Sequence, residues 1–163
     1  MSSHPDTRTA EQRLEALGLA LPQVATPAAN YIVHRQVGHL LYVAGQVPFV
    51  DGQLPVTGKL GAEVDLEEGQ RQARVAELNA LAAGAQGAGS LSLLAVAQLM
   101  VFVASTPDFV EQHLVANGAS DLLAEVLGEA GRHPRTAVAV PCLPMDAPVE
   151  VQVTFTLLST PTA

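Results

Sequence analysis

The stretch Leu93 to Ser105, "LLAVAQLMVFVAS", sets the strongest limit on what this chain can become. Apolar residues fill both alternating sets of positions, so a strand here has no face to offer water and is expected to be covered on both sides. The run is too short to cross a bilayer and carries Gln98 at its centre, which favours a central strand over a membrane helix.

The flanking segments supply a sheet for it. "NYIVHRQV" and "HLLYVAGQV", parted by Gly38, read as two strands. "FVDGQLPV" carries Asp51-Gly52, a tight hairpin signal, while Pro48 and Pro55 would confine its strands to an edge. Asp65, with Glu68 three residues on, predicts a helix to about Ala83 that buries Val75, Leu78, Leu81 and Ala82 and is ended by glycines 84, 87 and 89. Thr106-Pro107 predicts the opening of a second helix, interrupted at Asn117-Gly118. Two strands close the chain in "RTAVAV" and "VEVQVTF". The order β-β-β-α-β-α-β-β implies an α/β (α+β) fold, a single sheet with two helices packed on one face. Residues 1–25 are expected to form an extension with a short helix after a Thr9–Gln12 capping box, 26–158 the domain and 159–163 a tail.

Charge and composition exclude several function classes. A net charge of −8 with eight scattered basic residues argues against a nucleic-acid surface, which needs clustered Lys and Arg. Six aromatic residues are too few for a base-stacking platform. The first ten residues lack the basic start and apolar core of a targeting segment, so the expectation is a soluble, cytoplasmic protein without a membrane partner. One cysteine, Cys142, excludes an internal disulfide and fits a reducing compartment. It is expected to be buried on a strand with Val138 and Val140. Histidines 4, 34, 39, 113 and 133 form no tightly spaced pair and Cys142 has no partner, so no zinc site is expected.

Alternation along the last two strands isolates two charges. Val151, Val153, Phe155 and Leu157 share one face of the final strand, and Glu150, Gln152, Thr154 and Thr156 the other. In the preceding strand Arg135, Ala137 and Ala139 alternate with Val138 and Val140. Both charged sets are expected on the helix-free face. There an arginine could grip a carboxylate with its planar fork, and a glutamate could hold and polarise a water. An Arg–Glu ion pair that merely braces a strand junction fits the same pattern, and alternation does not choose between them.

The chain also resembles a known family, the RidA/YjgF reactive-intermediate deaminases, also called the YjgF-like or L-PSP endoribonuclease family. The likeness rests on Pro134-Arg135-Thr136-Ala137-Val138, Leu143-Pro144 and Val149-Glu150, on "LLYVAGQVP" from Leu40 to Pro48, and on "VFVASTPDF". It covers roughly residues 26–158. The resemblance implies a chorismate-mutase-like fold assembled as a homotrimer, with ligand clefts between subunits. It further implies cofactor-free hydrolysis of enamine and imine acids to 2-keto acids and ammonia. Arg135 would clamp the substrate carboxylate and Glu150 would act on the attacking water. Tyr31 would line the cleft, with Gly45 and Ala137 contacting ligand through the main chain, and His113, where the family often has asparagine, would join the substrate-binding residues. Ala44 replaces the family's serine, Ala137 its common cysteine, and the segment after His113 is longer, which marks a divergent subgroup. The same site could serve a non-catalytic carboxylate-binding or regulatory trimer.

Overall fold

The computed structural model describes residues 7–27 and 29–158. Helix α1 (Ala10–Ala16) is followed by β1 (His34–Val37), β2 (Leu40–Val43) and the long helix α2 (Leu66–Ala88). Then come β3 (Leu94–Ala104), α3 (Gln112–Val115), α4 (Asn117–Leu127), β4 (Arg135–Val140) and β5 (Val149–Leu157). One five-stranded sheet has the order β1-β2-β5-β3-β4, and only the β3–β4 pair is parallel. This is the α+β single sheet expected from the strand and helix pattern.

The sheet buries one face. Leu41 and Val43 of β2, Val151, Val153 and Phe155 of β5, and Leu99, Val101 and Val103 of β3 are at most 1% exposed beneath α2 and α4. β3 is central, yet the protomer covers only one of its faces. Gln98 is exposed, and Met100 and Phe102 are half-buried on the other side, beside exposed Tyr42 and Val138. A register shift between Val96 and Gln98 keeps the larger side chains in phase with β5 across this bulge.

Helix α2 outruns the expected stop at Ala83 by five residues, because two of the three glycines serve packing. A β-carbon at Gly84 would stand 2.7 Å from Phe155 Cε2, and one at Gly87 would be 3.0 Å from both His34 Nδ1 and Leu41 Cδ1. Only Gly89, at φ +88°, ends the helix. The close approach also moves the buried stripe: Ala73, Ala76, Ala80 and Leu81 are fully buried, while Val75 and Leu78 are half-buried. Gly118 does not break a helix either. A β-carbon there would lie 2.0 Å from the Gln70 carbonyl oxygen, so it lets α4 touch α2. Thr106-Pro107 forms a turn, closed by Phe109 N–H to the Thr106 carbonyl, and helix begins only at Gln112.

The Asp51-Gly52 hairpin is present as a single bridge between Val50 and Gln53, with φ of +51° and +77° at its centre, but it carries no strands. The flanking prolines withhold the N–H groups a ladder needs. Cys142 lies beyond the end of β4 and is exposed, because the strand stops at Val140 before Pro141.

Helix α1 docks against this layer. Thr9 and Gln12 make the reciprocal capping bonds, and Ala10 and Leu14 join the core. The Glu11 carboxylate accepts from Ser90 Oγ and from Ser92 N and Oγ. Partial burial pushes that carboxyl up, but the Ser92 and Ser90 bonds outweigh it and hold it at about 2. No helix among the described residues is long and apolar enough to cross a membrane.

Candidate functional site

Arg135 opens β4, a strand at the edge of the sheet. Its partner in the parallel ladder is Leu99, while Ala137 faces Val101 and Ala139 faces Val103. Paired residues point the same way, and all three β3 partners are buried beneath the helices. Arg135, Ala137 and Ala139 therefore lie on the helix side, and Val138 on the helix-free side at 40% exposure. This reverses the expectation for β4. Alternation divides a strand into two sets but only its register with a neighbour assigns them to faces. An edge strand buries too little of either set for hydrophobicity to reveal the choice.

Two helices hold the half-buried Arg135 guanidinium. Nη1 donates to Ser120 Oγ of α4 at 3.0 Å, and Nη2 donates to the His113 backbone carbonyl of α3 at 2.7 Å. The His113 ring itself is exposed. Ser120 Oγ also lies 3.0 Å from His133 Nε2. Among the described residues no carboxylate pairs with Arg135. Ser120 is absent from any sequence motif, and its one signal is a small polar residue beside the buried positions Ala119, Leu122 and Leu123 of α4.

Glu150, the second residue of β5, is placed by different neighbours. Its partner in β3 is Phe102, so its side chain is on the helix-free face. Gln46 and Val151 exchange both backbone hydrogen bonds, at 2.8 and 2.9 Å, which brings Gly45 beside it. The approach leaves no room for a side chain, since a β-carbon at Gly45 would stand 1.8 Å from Glu150 Oε1. Burial pushes the Glu150 carboxyl above its ordinary range, with no cation to counter it. The Val33 carbonyl accepts from Ala44 N–H, so the chain carrying exposed Tyr31 runs towards this end of β2.

The structure thus groups Arg135 with His113, Ser120 and His133, and Glu150 with Gly45. It does not bring the two groups together within a protomer. Arg135 and Glu150 register with Leu99 and Phe102 on opposite faces, offset by about 10 Å along the strands and about 10 Å across them. The ion pair that alternation left open is therefore not formed within a protomer. An open cavity of about 570 Å³ lies further along the Arg135 face of β4, lined by Ala139, Lys59, Ser105, Phe109 and Gln112 among others.

Comparison with known proteins covers nearly the whole chain. Residues 11–157 match a family model described as "YjgF/chorismate mutase-like, putative endoribonuclease". Protein TCP17 of Trypanosoma cruzi is 46% identical over 140 residues, spanning 85% of this chain and 88% of that protein. The crystal structure of Atu1372 from Agrobacterium tumefaciens, a protein of unknown function, is 46% identical with a TM-score of 0.85, covering 91% of this chain and 92% of that one. A Shewanella oneidensis protein carrying the same endoribonuclease description is 38% identical with a TM-score of 0.89, covering 92% and 100%. The fold extends to E. coli TdcF, crystallised with bound serine, at 22% identity and a TM-score of 0.60, covering 83% and 94%.

Proposed function

The chain belongs to the YjgF/chorismate mutase-like family, and on that premise we propose that it binds small 2-imino and 2-keto carboxylic acids in clefts between copies and hydrolyses the imine form. The observation that carries this reading is Arg135: a half-buried cation, oriented by two helices, with no carboxylate among the described residues against it. A substrate carboxylate would meet an already oriented planar fork. The amino acid bound to TdcF in its crystal structure is a ligand of the same small carboxylate class.

Because Arg135 and Glu150 face opposite sides of one sheet, the reaction uses them from two copies. The helix-free face, with Val37, Tyr42 and Val138 each at least 40% exposed, is the surface that copies would bury in a trimer. In the assembled cleft water adds to the imine carbon and passes a proton to ionised Glu150. That proton passes to nitrogen to give a carbinolamine, whose hydroxyl proton Glu150 then transfers to the amine as the C–N bond breaks, leaving a 2-keto acid and ammonia. No metal or organic cofactor takes part, and the site is cytoplasmic in setting. The net charge of −8 disfavours the RNA cleavage that the family description suggests.

The test generates 2-iminobutanoate with an amino-acid oxidase or dehydratase and follows its disappearance. Purified protein accelerates the loss, Arg135→Ala abolishes the acceleration, and Glu150→Gln retains 2-oxobutanoate binding but slows turnover. No acceleration across several imines would refute the enzyme. The placement of Arg135 and Glu150 in separate groups also favours a second reading, a carboxylate-binding regulator for which Glu150 is dispensable. That reading predicts thermal stabilisation by 2-oxobutanoate without turnover.

A further inference from the structure

Ser120 has two neighbours of different hydrogen-bonding character. Arg135 Nη1, 3.0 Å from its oxygen, can only donate. His133 Nε2, at 3.0 Å, can donate or accept, and its other ring nitrogen decides which. Nδ1 lies 2.5 Å from the Gly131 carbonyl oxygen, which can only accept, so Nδ1 carries a proton. In the neutral ring Nε2 is then the acceptor and Ser120 the donor. The result runs in one direction: Arg135 N–H to Ser120 Oγ, Ser120 O–H to His133 Nε2, and His133 N–H to the Gly131 carbonyl.

The far end of this chain is rigid. A β-carbon at Gly131 would stand 2.1 Å from the Leu123 carbonyl oxygen, so this backbone is wedged against α4, the helix that also carries Ser120. On the other terminal nitrogen, Nη2 is tied to the His113 carbonyl of α3. Anchors from two directions hold the guanidinium plane. Among the described residues, Nε and one N–H on each terminal nitrogen have no partner.

We infer that Ser120 and His133 are positioning residues that set the plane of the Arg135 guanidinium, so that its Nε edge receives a carboxylate in two-pronged fashion. This rests on the carboxylate-binding reading of Arg135. It extends that reading, because neither Ser120 nor His133 touches the ligand.

Side-chain ¹⁵N NMR tests the inference without any ligand. The two Nη groups of Arg135, identified by their loss in Arg135→Lys, give separate signals in the wild type because rotation is hindered. They collapse to an average in Ser120→Ala and separate again in Ser120→Thr, with circular dichroism confirming the fold. His133→Phe keeps the serine but removes its acceptor, and gives the same collapse. By calorimetry, the dissociation constant for 2-oxobutanoate rises about tenfold in Ser120→Ala, the loss of one hydrogen bond to a charged group, and recovers in Ser120→Thr. Averaged signals in the wild type, or separate signals that persist in Ser120→Ala, overturn the inference. Hindered Arg135 signals that depend on Ser120, in a protein with no affinity for 2-oxobutanoate, support the positioning and count against the carboxylate reading.

Discussion

Gly45 shows how a single position can govern the chemistry of a neighbour. Its missing side chain is the space that the Glu150 carboxylate occupies, with Oε1 1.8 Å from where a β-carbon would stand. Gly45→Ala therefore displaces a flexible carboxylate, not the backbone. The fold is expected to survive while imine turnover falls by about 100-fold, the scale of an ångström-level misplacement; steady-state kinetics beside a melting curve separates the two effects. In the proposed reaction Glu150 also sets the acid limb of the rate. Burial raises its pKa, and the reaction uses the ionised form, so the rate drops as pH falls through a midpoint above the ordinary carboxylate range. Glu150→Gln should have no such limb in a pH–kcat profile. Arg135, Glu150 and Gly45 could be singled out as candidates in the sequence because each belongs to a motif. Ser120 was not, because its partners Arg135 and His133 lie fifteen and thirteen residues away and meet it only through the packing of α4 against β4.

Helix α2 carries a costly burial. Glu77 is completely buried, and neither of its carboxylate oxygens has a hydrogen-bond partner among the described residues. Burial alone pushes its pKa well above the usual range, so the folded state holds this proton where the unfolded state releases it. The sign follows: stability is undiminished at low pH and falls as pH rises from the ordinary carboxylate range through the raised value. Glu77→Leu removes both the buried polar group and the slope. It is expected to stabilise the protein by about 1–3 kcal/mol at neutral pH, read from urea unfolding at several pH values. The start of α2 was readable because Asp65 and Glu68 act within one turn. Its end was not, because Gly84 and Gly87 answer to Phe155, Leu41 and His34, residues brought near only by tertiary packing.

For the whole molecule, the separation of Arg135 from Glu150 within a protomer means that the proposed reaction would require assembly. Arg135→Ala and Glu150→Gln, each impaired alone, should complement when unfolded together and refolded. Random assortment restores both residues in about a quarter of the clefts of a cyclic oligomer. Sedimentation should show a trimer for wild type and mixture alike, and absence of any recovered activity would contradict a cleft built from two copies. The chain on its own determined the approximate places of the five strands and the long helix, the polar and apolar sets of each strand, and the residue types suited to gripping a carboxylate. Those properties depend on covalent order and local periodicity. Only the tertiary structure decided that β4 turns Arg135 towards the helices, that Ser120 and His113 orient it, and that Glu150 lies on the opposite face. These depend on register between strands distant in sequence, since a one-residue shift in pairing carries every side chain to the other side of the sheet.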